Sequence, residues 1–213
     1  MVDVALFPIP NAVAFPGVAF PLHVFEPRYR QMVHHCVDEN LLMGVCHTEK
    51  VLHVNSKDQT IEEALGSNQS TYKPCAVFSA GPVELLQELD DGRLLIQVNT
   101  NTRLRLEEEK QTLPFSIWAC REIGDEAHEP TDEQQLLQSK EKILRRLITI
   151  THGNQALQDT LKSDQWQDMP PQNLSFAVAG MLGLDADRAQ QLLEYTDTQF
   201  RLDAILEIIN DFG

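Results

Sequence analysis

Histidine and cysteine side chains stand next to each other at two places in this 213-residue chain. His34, His35 and Cys36 are consecutive, and Cys46 precedes His47. A zinc site needs ligands that converge on one ion, most often at CxxC or HxxxH spacings. Neighbouring residues on a helix point about 100° apart, at 3.6 residues per turn. The spacing therefore predicts no metal site, with Cys36 in the core and the two preceding histidines in solvent.

The cysteines are widely spaced and form no CxxC motif; they are Cys36, Cys46, Cys75 and Cys120. A reactive thiolate needs a nearby positive charge or a helix N-terminus. His47 follows Cys46, but neighbouring residues of a strand face opposite sides of the sheet. The chain is also much longer than the small secreted domains that need disulfides. We expect reduced thiols that pack in the core of a cytoplasmic protein.

The sequence lacks the short motifs that common enzyme mechanisms require. No glycine is followed by lysine, so no GxxxxGK[ST] loop can hold nucleotide phosphates. GxSxG, GxGxxG and HExxH are also absent. We predict a protein without catalytic residues or cofactors. A nucleophile assembled from distant residues stays open, so a small hydrolase is kept as one alternative.

Two pairs of charged residues could contact a ligand. Glu26 and Arg28 flank a proline at a predicted strand-to-helix turn. They either fix this turn through hydrogen bonds or hold a ligand. Arg103 and Arg105 lie on one side of a predicted strand, but Glu107–Glu109 follow directly. This arrangement favours a local ion-pair network over a nucleic-acid site.

The charge balance is strongly acidic, with 32 acidic and 17 basic residues and a net charge of −15. Such a surface repels phosphate backbones and anionic lipid heads. It predicts basic or neutral partners, no nucleic acid and no membrane. No stretch of 18 apolar residues is present. The apolar stretch Met1–Phe25 is interrupted by four prolines and contains no lysine or arginine, so we expect no signal peptide.

The first 125 residues predict mostly β structure. The strand candidates are Val2–Leu6, Val18–Phe25, Leu41–Cys46, Ala76–Leu89, Arg93–Val98, Arg103–Leu106 and Phe115–Cys120. Asp91-Gly92 predicts a hairpin turn. Proline in the first turn and one apolar face predict a helix from Pro27 to about Glu39. Residues 47–73 lack a clear period and are predicted as a long loop, with a short helical turn at Ile61–Leu65.

From Pro130 onward the pattern predicts helices. The expected helices begin at a capping box of Thr131 and Gln134, at Asn173, at Asp185, and at a capping box of Thr196 and Gln199. Because strands and helices are segregated along the chain, we predict an α+β fold. The acidic stretch Gly124–Pro130 marks the expected boundary between a β-rich subdomain at 1–125 and a helical subdomain at 126–213.

Three short motifs near the N-terminus resemble a known family. They are Leu6-Phe7-Pro8-Ile9, then Phe15-Pro16-Gly17, then the segment from Pro21 to Tyr29 (PLHVFEPRY). Their order and spacing resemble the opening of the N-terminal, substrate-recognition domain of Lon-type ATP-dependent proteases, which also occurs in cereblon. Asp91-Gly92-Arg93 and Arg103-Leu104-Arg105 are similar to the family's hairpin and its G-x-x-R-F-R segment. Departures are Thr100 for the glycine, Leu104 for the aromatic residue, and Pro74-Cys75-Ala76 for Gly-Thr-x-Ala.

This resemblance implies a PUA-like β pseudo-barrel with one packed helix, followed by a C-terminal helical bundle. It implies a non-catalytic module for unfolded or degradation-bound polypeptides, with an adaptor role in protein quality control and a protease or chaperone as partner. Since the chain stops at Gly213, we expect it to lack the ATPase and Ser-Lys protease of Lon. RNA binding, by analogy with other PUA-like folds, is a second alternative. The sequence assigns neither contact residues, client nor oligomeric state, and the aromatic stretch Phe15–Phe25 is either barrel core or part of a binding surface.

Overall fold

The computed structural model describes residues 1–53, 71–127, 129 and 132–211. Residues 1–53 and 71–123 contain strands and one helix. The strands are β1 (Val2–Pro8), β2 (Ala19–Val24), β3 (Leu42–Cys46), β4 (Thr48–His53), β5 (Thr71–Pro74), β6 (Val77–Gly81), β7 (Val83–Glu88), β8 (Leu94–Asn99), β9 (Thr102–Gln111) and β10 (Ile117–Glu122). The helix is α1 (Pro27–Glu39).

Five of these strands close into a barrel, in the order β1-β10-β9-β6-β3. The β1–β3 pair is parallel, and the other neighbours are antiparallel. A separate antiparallel sheet has the order β2-β8-β7, and β4 pairs with β5. The sequence prediction of an α+β fold with a β barrel, one packed helix and C-terminal helices is confirmed.

Alternate residues of the barrel strands face inward, because successive side chains of a strand point to opposite faces. Together with Cys75, which follows β5, they form one core cluster, whose other buried members are Val4, Leu6, Cys46, Phe78, Ala80, Leu104 and Cys120. Gly44 lies under the ring of Phe78, and a Cβ atom there would be 2.3 Å from the ring. This part of the barrel interior is therefore tightly packed.

A second core cluster lies between α1 and the outward-facing residues of the strands. Tyr29, Met32, Val33 and Cys36 are the buried face of α1, as the helical period predicts. They pack in one cluster with residues of β1, β3 and β8, among them Ala5, Met43, Val45, Leu94, Ile96 and Val98. Proline in the first turn and Asn40 in left-handed geometry at the C-cap (φ 52°) set the two ends of the helix.

Two predictions are wrong, that of a loop at residues 47–73 and that of a single strand at Ala76–Leu89. Residues 47–73 are not one loop, because their ends pair as β4 and β5; the predicted helical turn at Ile61–Leu65 lies outside the described residues. The β4–β5 pair contains two register shifts. They interrupt the alternation of apolar and polar residues by which a strand is recognised in a sequence. Ala76–Leu89 is not one strand either, because Pro82 separates β6 from β7 and has no N–H for a strand ladder.

The helices after residue 131 are α2 (Glu133–Ile150), α3 (Gln155–Lys162), α4 (Asp164–Gln167), α5 (Pro171–Met181), α6 (Ala186–Glu194) and α7 (Thr198–Asn210). Their buried apolar residues include Ile143 and Leu147 of α2, Leu174 and Val178 of α5, and Leu202, Ile205 and Ile209 of α7. By contacts, the chain divides into a barrel unit (Met1–Ile123 and Asp185–Gln190) and a helical unit (Gly124–Leu184 and the residues from Gln191 onward).

The predicted capping box of Thr196 and Gln199 is wrong. Asp197 is the N-cap of α7, and its carboxylate accepts a hydrogen bond from the Phe200 backbone N–H at 3.0 Å. The Thr196 hydroxyl instead donates to Glu126 at 2.6 Å. Aspartate competes well for this position because its charge also opposes the helix dipole. In the other predicted box, Thr131 lies outside the described residues, and the N-cap of α2 is the next residue, without a side-chain cap bond.

Candidate functional site

One end of the barrel opens into a cavity of about 590 Å³, which we call the barrel mouth. Its apolar wall is made by residues from different strands or their flanks, namely Leu6, Leu106 and Trp118, which also contact the interior cluster, and exposed Ala76. Leu113 and Phe115 complete the wall from the loop between β9 and β10. Ligand pockets in proteins commonly measure about 300–1,000 Å³ and are mostly apolar. The barrel mouth has the size and lining of a binding site.

Trp118 is placed in the wall by an irregular part of β10. It pairs with Val4 on β1 and Glu109 on β9, and a register shift separates it from Ile117. Bulges of this kind re-aim a side chain and are frequent beside functional sites. The indole N–H of Trp118 is buried and has no hydrogen-bond acceptor among the described residues. This indole N–H is therefore a donor that a bound group could use.

The loop between β9 and β10 exposes an apolar side chain beside the cavity. Leu113 is 80% exposed, whereas Phe115 is buried and packs its ring against His35 of α1 at 5.6 Å between centroids. The Gln111 side-chain amide donates to the Phe115 carbonyl at 2.9 Å and holds the loop to the end of β9. Leu113 therefore extends the apolar surface of the cavity into solvent.

Charged residues surround this apolar surface. Arg28 lines the barrel mouth, bonds the Glu26 carboxylate at 3.0 Å and lies over the Tyr29 ring at 4.5 Å. The two charged residues of the PLHVFEPRY motif therefore hold each other at the start of α1, and one of them also faces the cavity. Lys73 and Glu49 form a second ion pair on the rim, at 2.5 Å.

The other predicted contributors lie away from the barrel mouth. Phe15 is buried in the core, and Phe25 is 39% exposed but does not line the cavity. Arg103 is buried and donates to the Ile123 carbonyl at 3.3 Å, while Arg105 is exposed. Glu107 binds Arg121 at 2.9 Å and Glu108 binds Lys110 at 2.6 Å, so these two glutamates pair with other cations than the expected Arg103 and Arg105.

The four thiols are free and buried, as predicted for core residues. Burial raises the pKa of Cys36 to about 12 and, with help from the charges of Asp3 and Glu107, that of Cys120 to about 12. Burial and the neighbouring Cys75 thiol also raise the pKa of Cys46. Thiols with raised pKa values stay protonated at neutral pH and are poor nucleophiles.

The remaining histidines and carboxylates do not form a metal site in the described residues. His34 and His35 are exposed beside buried Cys36, which agrees with the helical spacing. Within residues 1–53, 71–127, 129 and 132–211, no three His, Cys, Asp or Glu side chains converge as metal ligands would. No helix in those ranges combines the length and the apolar composition of a membrane span.

Comparisons with known proteins give one consistent result. Residues 3–211 match the family model for the ATP-dependent protease La (LON) substrate-binding domain. The Lon protease 2 of Syntrophobacter fumaroxidans is 22% identical over 204 residues, which are 94% of this chain and 23% of that protein. The Lon protease 2 of Bdellovibrio bacteriovorus is 23% identical over 210 residues, which are 96% of this chain and 24% of that protein. The chain thus spans about a quarter of the length of these curated relatives.

Solved structures show the same fold. A Lon N-terminal domain protein from Xanthomonas campestris superposes with a TM-score of 0.60 at 19% identity, covering 97% of this chain and 98% of that one. The N-terminal domain of the Mycobacterium avium complex Lon protease gives a TM-score of 0.67 at 13% identity, with 98% of each chain covered. From the family match over nearly its whole length, this chain belongs to the family of LON substrate-binding domains.

Proposed function

We propose that this protein binds unfolded or degradation-bound polypeptides and that the barrel mouth receives an apolar side chain of the bound segment. The observation that carries the proposal is a cavity of about 590 Å³ with apolar walls in a substrate-binding domain. Burying a Leu- or Phe-sized side chain contributes about 1.5–3 kcal/mol. An unfolded chain offers many such side chains, whereas a folded chain keeps them inside.

One anchored side chain accounts for only part of the expected affinity. We expect micromolar dissociation constants, which correspond to about −8 kcal/mol. The remainder would come from contacts of the flanking segment with exposed Leu113 and with the polar rim of the barrel mouth. This division between an apolar centre and a polar edge is usual for protein interfaces.

The protein acts here without cleaving its ligand. The raised pKa values of Cys36 and Cys120 remove two candidate nucleophiles at neutral pH. We propose an adaptor in protein quality control, which passes bound polypeptides to a protease or a chaperone. Four reduced thiols suit a cytoplasmic protein. We further propose that residues 1–125 and 126–213 are its two subdomains.

The test is fluorescence anisotropy of a labelled unfolded polypeptide titrated with the protein, with and without ATP. We expect saturable binding that needs no nucleotide and leaves the label intact. Leu113→Asp places a charge at the edge of the apolar wall and should weaken binding about tenfold, or 1.4 kcal/mol. Leu86→Asp is the matched control, because Leu86 is 54% exposed on β7 and does not line the barrel mouth.

Three outcomes would contradict the proposal. Equal losses in the two aspartate variants would place binding on the general surface rather than in the barrel mouth. Cleavage of the label by pure protein would support a hydrolase. Salt-dependent binding of RNA with no binding of unfolded polypeptide would support a nucleic-acid role.

A further inference from the structure

We infer that the barrel mouth prefers an apolar side chain with a basic residue beside it in the sequence, and that Glu109 recognises the basic residue. This inference rests on the proposed polypeptide-binding function. Segments of an unfolded chain that carry this pair of residues bind best. Glu109 is then a specificity residue that touches the ligand outside the apolar wall.

Three consecutive glutamates near the end of β9 have different partners. Glu107 is paired with Arg121 at 2.9 Å, and Glu108 with Lys110 at 2.6 Å. Glu109 lines the barrel mouth and bonds the neutral Ser116 hydroxyl at 2.9 Å. Among the described residues no cation lies within ion-pair distance of Glu109.

The other charges on the rim neutralise one another. Arg28 is paired with Glu26, and Lys73 with Glu49. Among the described residues that line the barrel mouth, Glu109 is therefore the charged side chain without an oppositely charged partner. A ligand with a positive group at this point complements the rim, whereas a negative group meets repulsion.

The register of the barrel sets where the positive group must lie. Glu109 pairs across the strands with Trp118, whose side chain lines the cavity. Directly opposed residues in a sheet hold their Cβ atoms about 4.5–5.5 Å apart. An extended peptide advances about 3.3 Å per residue. A basic residue one or two positions from the anchored apolar side chain is thus within reach of the Glu109 carboxylate.

The net charge of −15 would also attract basic peptides without any specific site. The two effects separate because a long-range field is the sum of many charges, while an ion pair depends on one carboxylate. Replacing Glu109 and replacing another exposed glutamate change the net charge equally. Glu122 is exposed at the other end of β10 and does not line the barrel mouth, so Glu122→Gln is the control for Glu109→Gln.

The experiment uses three labelled Gly/Ser peptides that each contain one Phe, flanked by Lys, Gln or Glu. Anisotropy titrations are run on the full chain and on both variants. The wild-type protein should bind the Lys peptide about two- to fivefold more tightly than the Gln peptide, the range of an exposed ion pair. Glu109→Gln should remove this preference, and Glu122→Gln should keep it.

The indole N–H resonances of the two tryptophans report where the peptide binds. Trp118 lines the barrel mouth, and Trp166 lies in α4 of the helical unit. In ¹H–¹⁵N spectra, assigned with Trp166→Phe, the Lys peptide should shift the Trp118 signal and leave that of Trp166 in place. Shifts confined to Trp166 would overturn the inference.

The remaining outcomes separate this inference from the proposed function. Equal binding of the three peptides overturns the inference and leaves polypeptide binding intact. A preference for Lys that survives Glu109→Gln assigns it to the net charge and also overturns the inference. If none of the peptides binds and no unfolded polypeptide binds either, the proposed function fails together with it.

Discussion

Arg201 in the helical unit and the polar groups at the open end of the barrel unit differ in how completely the chain itself satisfies them. In the helical unit, Arg201 is fully buried, and its guanidinium bonds groups of the chain itself. It bonds the Asp125 carboxylate at 2.5 Å, the Ser175 hydroxyl at 2.7 Å and the Tyr195 carbonyl at 2.7 Å, and it lies over the Phe176 ring at 4.0 Å. A charge surrounded in this way is part of the fold and has nothing left to offer a ligand.

The barrel unit leaves comparable groups incomplete at its open end. The Trp118 indole lacks an acceptor within the part of the chain that the structure describes, and Glu109 is exposed beside the cavity with a neutral hydroxyl as partner. Arg201, whose partners all belong to the chain, supports the structure. Groups whose contacts within the chain are incomplete can still contact a ligand.

The largest effect is expected from Arg201→Met. It removes the cation and leaves the Asp125 carboxylate, 13% exposed, without its strongest partner. Breaking a buried ion pair on one side costs about 3–5 kcal/mol, because a buried charge remains uncompensated. Urea denaturation should show this loss in the helical unit, monitored through Trp166 fluorescence in a Trp118→Phe background.

Arg145→Met is the control for that substitution. Arg145 pairs with Glu141 at 3.0 Å, but both side chains are largely exposed, at 79% and 62%. Exposed pairs of this kind contribute about 0.3–0.5 kcal/mol. Similar losses for the two variants would mean that burial of Arg201 has no special weight, and the contrast between the units would fail.

An intermediate effect is expected where the barrel interior is closed. Gly44→Ala places a methyl group 2.3 Å from the buried Phe78 ring, which must move. Overpacking a tight core costs about 1–3 kcal/mol. Ala76→Leu at the barrel mouth adds a larger side chain but should cost less than about 0.5 kcal/mol, because Ala76 is exposed.

Urea midpoints of these two variants test whether only one end of the barrel is packed. Gly124→Ala is a second reference, since a Cβ there meets no atom within 4 Å. Ala76→Leu should also weaken binding of the unfolded polypeptide by filling the cavity. A destabilised Ala76→Leu protein would mean that the barrel mouth is core rather than a binding site.

Much of the fold was predictable because its signals are local. The face of α1 follows from the period of Tyr29, Met32, Val33 and Cys36, and the hairpin between β7 and β8 from Asp91-Gly92. Predictions failed where local signals compete or are interrupted. Two residues with capping side chains stand together before α7, and only the folded chain shows that Asp197 caps it while its neighbour bonds Glu126.

The candidate site was not predictable from local signals. Leu6, Ala76, Leu106 and Trp118 are far apart in sequence, and each alone has the character of a core residue. Barrel closure and register bring them to one open end. The sequence shows Glu109 as the last of three consecutive glutamates. Only the folded structure shows that Arg121 and Lys110 form ion pairs with the other two.

The last expected effect depends on pH and concerns charge inside the barrel unit. The helical unit buries a charged Arg201 with its partner, whereas the thiols of the barrel unit are buried as neutral groups. Burial raises the pKa of Cys36 from 9.0 to about 12 in the folded protein. Between these two pH values the unfolded chain has lost the proton and the folded chain keeps it. The contribution of the neutral thiol to stability is therefore complete below pH 9 and decreases as the pH rises towards 12.

Cys36→Ala removes this dependence at one position. The unfolding free energy of the wild-type protein should fall relative to the variant by about 1.4 kcal/mol per pH unit above pH 9. Urea titrations of both proteins at about pH 8, 9 and 10 measure the difference, and the shared titration of lysines and tyrosines cancels in it. A difference that stays constant over this range would mean that Cys36 ionises as easily in the folded chain as in the unfolded one. In that case α1 would not seal the thiol from water, and the contrast between a buried neutral group and a buried charged pair would be lost.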